Sequence, residues 1–133
     1  MMLVLFLCTS AVLVLSFFLD PSPTGVGTHQ QLGLNPCGFL VMTHYPCPMC
    51  GMTTTFSLMT HGEIITAIKN QPFGVLLYLG NIFFMICSLL DLLLGSKRIL
   101  TLQKSILMHR RFWGLFLSLG IILAWFYKIT IFT

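Results

Sequence analysis

The sequence predicts an all-α membrane protein with three transmembrane helices and short interfacial helices in an outward-facing loop between the first two spans. Three observations carry that reading. Of its 133 residues, 56% are hydrophobic and only 8% charged, and the mean hydropathy is +0.94. A soluble domain averages about 25% charged residues, so too little polar material is present here to cover a water-exposed globule. Next, three apolar runs, at about residues 1–19, 73–94 and 112–131, each approach the ~20 residues needed to cross a bilayer core. Finally, five of the seven cations fall between residues 97 and 111, beside the apolar runs, which is how topology is encoded in membrane proteins. The whole chain reads as one integral membrane domain.

The first run carries no charge. It has no basic n-region, and Ser16-Phe17-Phe18-Leu19 before Asp20 offers no small-x-small cleavage site, so it is expected to stay as a span. The loop over residues 20–71 begins with a stretch rich in Pro and Gly that reads as irregular backbone. The run GFLVM is too short to span and fits a re-entrant or interfacial piece covered by protein. Pro48 suits the first turn of a helix over about residues 49–60, with Met52, Phe56 and Met59 on one face and Gly62 as its stop. A second amphipathic helix, over about residues 63–70, would bury Ile64, Ile65 and Ile68 before Pro72 opens the second span. That span carries Asn81 near its middle, suited to hydrogen bonding between helices. It ends near Asp91, within reach of Lys97 or Arg98. The loop over about residues 95–111 is basic, and apolar positions at helical spacing over 99–109 fit a short helix lying on anionic headgroups. The third span has Trp113 at one edge and Trp125 and Tyr127 at the other, with Lys128 able to snorkel to the headgroups.

The positive-inside rule puts the basic loop in the cytoplasm. The N-terminus is then inside, while residues 20–71, whose only cation is Lys69, and the C-terminus face outward. The net charge of +4 is therefore topological, and no basic groove interleaved with aromatics marks a nucleic-acid surface. No paired carboxylates, phosphate-binding glycine loop or Ser/His/Asp ordering is present, so hydrolase and kinase chemistry find no support and the chain leans away from an enzyme.

The chemistry concentrates in the outward loop. Residues 21–62 contain no Asp, Glu, Lys or Arg, yet hold three of the four histidines and three of the five cysteines. Cys8 and Cys87 fall inside apolar runs, where Cys packs as a small hydrophobe. Three readings of Cys37, Cys47 and Cys50 stand open. In thiol–disulfide chemistry, a helix N-terminus would favour the Cys47 thiolate as attacker, with Cys50 resolving and Cys37 accepting electrons; the inert version is a Cys47–Cys50 disulfide stapling the loop. In metal binding, Cys37, His44, Cys47 and Cys50 form a Cys-x6-His-x2-Cys-x2-Cys set fit for tetrahedral zinc, with His29 or His61 as substitutes. Covalent haem is excluded because Gly51, not His, follows the second Cys. In the third reading CPMCG is a tight helix-entry motif, with Gly51 permitting close backbone approach and Thr53, Thr54 and Thr55 capping or bonding across helices.

The run CPMCGMTTT, followed by a helix, HGE, an Ala and a Pro before a span, resembles the domain of unknown function 2752 family of small bacterial membrane proteins. The upstream LDPSPTGVGTHQQLGLNPC is similar to the planctomycete-type version. The chain departs from the family pattern with Thr53-Thr54 where Thr-Arg is common, and Gln71-Pro72 where Asn-Pro is common. The resemblance implies an architecture in the bacterial cytoplasmic membrane and little chemistry. The leading expectation is an accessory or assembly subunit of a bacterial membrane complex. Its partners would be the lipid bilayer and other membrane subunits or further copies of itself. The alternative is an extracytoplasmic thiol-redox or zinc-binding membrane protein using Cys47, Cys50 and Cys37.

Overall fold

The computed structural model describes residues 2–95, 101 and 110–132, and among these it contains helices and no strand. The expected headgroup helix over 99–109 lies outside the described residues apart from Thr101, as do Lys97 and Arg98 beside Asp91. Helix α1 covers Met2–Phe18. A 3-10 helix follows at Thr28–Leu32. Then come α2 at Gly38–Thr43, α3 at Met52–Thr60, α4 at Ile64–Asn70, α5 at Pro72–Leu94 and α6 at Arg110–Phe132.

Two of these helices, Pro72–Leu94 and Arg111–Ile131, are long and apolar enough to cross a membrane. At 1.5 Å per residue, the 23 residues of α5 extend about 34 Å, slightly more than a bilayer core. Helix α1 is equally apolar but has 17 residues, or about 26 Å. It packs along α5, where Asn81 Nδ2 donates to the Thr9 carbonyl at 3.2 Å. The mid-span amide thus bonds between helices, as expected.

Polarity is distributed in reverse of a soluble fold. The buried apolar cluster is small, formed by Leu58, Ala67 and Val75 with Met59 against it. Ser16, Thr28, Thr54, Thr55, Ser57, Asn70, Gln71 and Lys128 are buried, while large apolar side chains along α1, α5 and α6 stand exposed. Such a surface is stable where the surroundings are themselves apolar. Interior cohesion comes instead from hydrogen bonds made by most of the buried hydroxyls and amides, among them Thr28, Thr54, Thr55, Ser57 and Asn70.

The same inversion explains where the short helices depart from the amphipathic expectation. Helix α3 buries Thr54, Thr55, Ser57 and Leu58, while Met52, Phe56 and Met59 are only half-buried. In α4, Ala67 and Asn70 face inward, whereas Ile64, Ile65 and Ile68 are exposed. The inward positions hold residues that bond neighbouring segments, such as Thr54 to Thr28 and Asn70 to Gly51 and Thr55. Gly62, at φ +82°, follows the end of α3 as expected. The loop is packed against the helices through contacts of α3 with α1, α5 and the 3-10 helix, and of α4 with α5. Gly74 permits the α3–α5 contact: a Cβ there would meet Thr55 Cγ2 at 3.0 Å and Met52 Sδ at 3.1 Å.

Candidate metal and thiol centre

Cys47-Pro48-Met49-Cys50 forms a turn rather than the opening of a helix. The Cys50 amide donates to the Cys47 carbonyl at 3.0 Å, and the Met52 amide to Met49 at 3.2 Å. Pro48 therefore takes the second position of a β-turn, where its fixed φ is favoured. Helix α3 begins only at Met52, with Gly51 as a left-handed N-cap at φ +90°. The expected support of a Cys47 thiolate by a helix N-terminus fails for that reason.

Gly51 brings the turn against the rest of the loop. A Cβ at this position would fall 2.7 Å from the Gly25 carbonyl oxygen and 3.0 Å from Lys128 Nζ. Asn70 Nδ2 donates to the Gly51 carbonyl at 3.1 Å and to Thr55 Oγ1 at 2.9 Å. Buried Gln71 supports the turn from beneath, its Nε2 donating to the Pro48 carbonyl at 3.3 Å. From the other side, Thr28 Oγ1 and Thr54 Oγ1 bond at 2.8 Å, joining the 3-10 helix to α3.

Cys37, the N-cap of α2, closes on this turn. The sulfurs of Cys37, Cys47 and Cys50 all lie within 4.8 Å of one another. They are free thiols in this structure, so the expected Cys47–Cys50 disulfide is not formed. The environments of the outer two diverge. The Leu40 backbone N–H donating toward its sulfur holds Cys37 below the usual thiol range, helped by the Cys50 and Cys47 side chains and opposed by burial. Burial pushes the Cys50 thiol up to about 12, and the hydrogen bonds its S–H donates to the Cys47 and Cys37 sulfurs favour the neutral form further.

Zn–S bonds of about 2.3 Å put the sulfurs of a tetrahedral site ~3.8 Å apart, so a contraction of at most ~1 Å would seat an ion among these three. Beside them is a cavity of about 270 Å³ lined by Cys37, Cys47, Cys50, His29, Gln30 and Thr53, among others. His44, the expected fourth ligand, stands outside the sulfur group. It is an exposed C-cap of α2 at φ +61°. His61 is held elsewhere, its Nδ1 donating to the Ser57 carbonyl at 2.8 Å and its ring stacked on Phe17. His29 is thus the histidine that shares a cavity with the thiols. Sequence spacing favoured His44 because it sits between Cys37 and Cys47 in the chain; the 3-10 helix carrying His29 had no sequence signal tying it to them.

The end of α6 also reaches the site. Trp125 Nε1 donates to the Pro46 carbonyl at 2.8 Å, Tyr127 Oη to the Lys69 carbonyl at 3.0 Å, and Lys128 Nζ to the Gly25 carbonyl at 3.2 Å and to Asn70 Oδ1. Lys128 is only 3% exposed, so it does not snorkel as expected. The loop supplies three oxygens that hold its ammonium inside instead.

Residues 37–85 match the family model described as Protein of unknown function (DUF2752), the family that the CPMCG run resembles. The matched segment includes all three cysteines of the group and neither His29 nor Lys128. No curated protein and no solved structure gives a significant match to the chain.

Proposed function

We propose that this chain is a small three-span membrane protein whose loop between the first two spans binds a divalent, thiophilic metal ion, zinc foremost, on Cys37, Cys47 and Cys50. The observation that carries the reading is the convergence of three sulfurs, from two separate segments, within 4.8 Å. A staple or a dithiol catalyst needs two sulfurs, whereas a third at equal range suits a metal cradle. His29 or a water molecule from the adjoining cavity would complete the coordination. The positive-inside bias supports an outward-facing site in a bacterial cytoplasmic membrane, with the N-terminus in and the C-terminus out. The small apolar core supports a role as an accessory or assembly subunit that gains stability from partners or from further copies of itself.

Chain extracted in mild detergent under reducing, chelator-free conditions should carry roughly one zinc per chain by elemental analysis. Serine at Cys37, Cys47 or Cys50 should remove most of it, and serine at Cys8 or Cys87 should leave it in place. A metal-free chain with a Cys47–Cys50 disulfide, found by differential alkylation and mass spectrometry, would overturn the reading in favour of thiol exchange. That second reading draws on the contrast between Cys37, held low, and Cys50, pushed up to about 12. It predicts that Cys50→Ala traps mixed disulfides.

A further inference from the structure

A buried ammonium requires a counter-charge, and Lys128 has none among its bonded partners. Its Nζ donates to the Gly25 carbonyl, the Asn70 carbonyl and Asn70 Oδ1, all neutral acceptors. The chain has only three acidic residues, Asp20, Glu63 and Asp91. Asp20 and Glu63 are exposed; Glu63 lines the same cavity as Lys128, about 430 Å³ in volume, but the hydrogen bonds of Nζ go to the neutral oxygens. Asp91 belongs to the last turns of α5, about 30 Å along the helix from its Pro72 end, where Asn70 and the loop meet Lys128. Placing a charge at 3% exposure against dipoles alone is strongly unfavourable. The cysteine turn also lies beside it, for a Cβ on Gly51 would be 3.0 Å from Nζ. Burial disfavours the Lys128 ammonium, and Cys50, the residue before Gly51, is the ionisable side chain whose negative charge would oppose that.

We infer that Lys128 is the built-in counter-cation of the metal-bound cysteine group, and that this charge pairing selects a divalent ion held by three thiolates. The inference rests on the metal reading above and deepens it. Three thiolates and a divalent ion sum to a net charge of −1, whether the fourth ligand is neutral His29 or water. One ammonium cancels that charge, while a monovalent ion on three thiolates would leave −1 unbalanced. Metal binding converts three thiols to thiolates, with their protons released to solvent and no change of oxidation state. Lys128 Nζ donates to carbonyl and amide oxygens rather than to a sulfur, so it is a positioning residue.

The test uses full-length chain in detergent or nanodiscs, stripped of metal under reducing conditions and titrated with Co²⁺. Thiolate-to-cobalt charge-transfer absorption reports binding, and Zn²⁺ competition reports affinity. Wild type and Lys128→Arg, which keeps the charge, should bind within a few-fold of each other. Lys128→Met, neutral and at home in a membrane helix, should bind 10- to 100-fold more weakly, the range general to outer-shell partners of metal sites. Equal binding by Lys128→Met and wild type would overturn the inference while leaving the metal site intact. An equal loss in Lys128→Met and Lys128→Arg would overturn it too, as packing rather than charge. If Lys128→Met loses its helical circular dichroism, Lys128→Gln, which keeps a donor for Asn70, replaces it, and unfolding of both would assign Lys128 a purely structural role. Absence of cobalt binding by wild type would instead overturn the metal reading itself.

Discussion

Gly51 determines whether the three thiols meet. Its φ of +90° belongs to the left-handed region, and a side chain there would run into the Gly25 carbonyl at 2.7 Å. Gly51→Ala should therefore destabilise the folded chain by roughly 2–4 kcal/mol, adding backbone strain to overpacking. Gly62 is the control, with a comparable φ of +82° but open space where the Cβ would go. Gly62→Ala should cost only about 1 kcal/mol. Denaturant unfolding in detergent, followed by tryptophan fluorescence, would compare them; equal costs would show that close approach at Gly51 is not what holds the turn. The sequence indicated that Gly51 allows close approach, because a Gly after CxxC has few other uses. It could not indicate what approaches, since Gly25 and Lys128 come from distant parts of the chain. His29 stood only as a substitute ligand for a similar reason: chain spacing reports which groups share a turn, not which segments fold over it.

At the scale of elements, the long helices were legible and the short ones only in part. An apolar run long enough to span announces itself through composition, and α5 and α6 fall within a few residues of the expected bounds. The three-isoleucine face of α4 was expected to be buried within the chain, but the inward positions of α4 go to Ala67 and Asn70. Here Asn70 faces inward to hold the Gly51 carbonyl and Lys128, and the isoleucines are exposed. Trp125 and Tyr127 were expected to anchor α6 at the headgroups, a role that composition alone suggests for any aromatic at a span edge. In the structure both side chains also bond loop carbonyls, and so fasten α6 to the cysteine loop. Trp125→Phe keeps an aromatic ring beside Phe39 but removes the donor to Pro46, the residue before Cys47. It should cost about 1 kcal/mol of stability and speed release of bound metal to a chelator several-fold. Release at the wild-type rate would show that α6 does not brace the site.

For the molecule as a whole, connectivity and contacts put two features at one end. The cysteine loop joins the end of α1 to the start of α5, and the last turns of α6 bond to it through Trp125, Tyr127 and Lys128. Helix α6 must then run antiparallel to α5, which puts the last turns of α5 and the first turns of α6 at the opposite end. That geometry relates the ends to each other without saying which faces the cytoplasm; the proposed orientation rests on the concentration of cations in the 97–111 stretch. Helix α1, at 17 residues, is the element on which the span count depends, since an α1 outside the bilayer would leave two spans and a different N-terminal location. Single-cysteine variants on a background lacking the native cysteines test both points. Exposed positions Asn35, in the loop, and Thr101, between α5 and α6, would each carry the reporter, with a third cysteine placed before Met1. An impermeant maleimide applied to intact spheroplasts should label Asn35→Cys and leave Thr101→Cys and the N-terminal cysteine unlabelled until the membrane is permeabilised. Labelling at Thr101 with protection at Asn35 would invert the orientation and put the thiols in a reducing compartment. Labelling at both Asn35 and the N-terminal cysteine would remove α1 from the bilayer and leave a two-span protein. In either case the metal cradle would survive, because it depends on contacts within one end of the molecule, but the side of the membrane it serves would change.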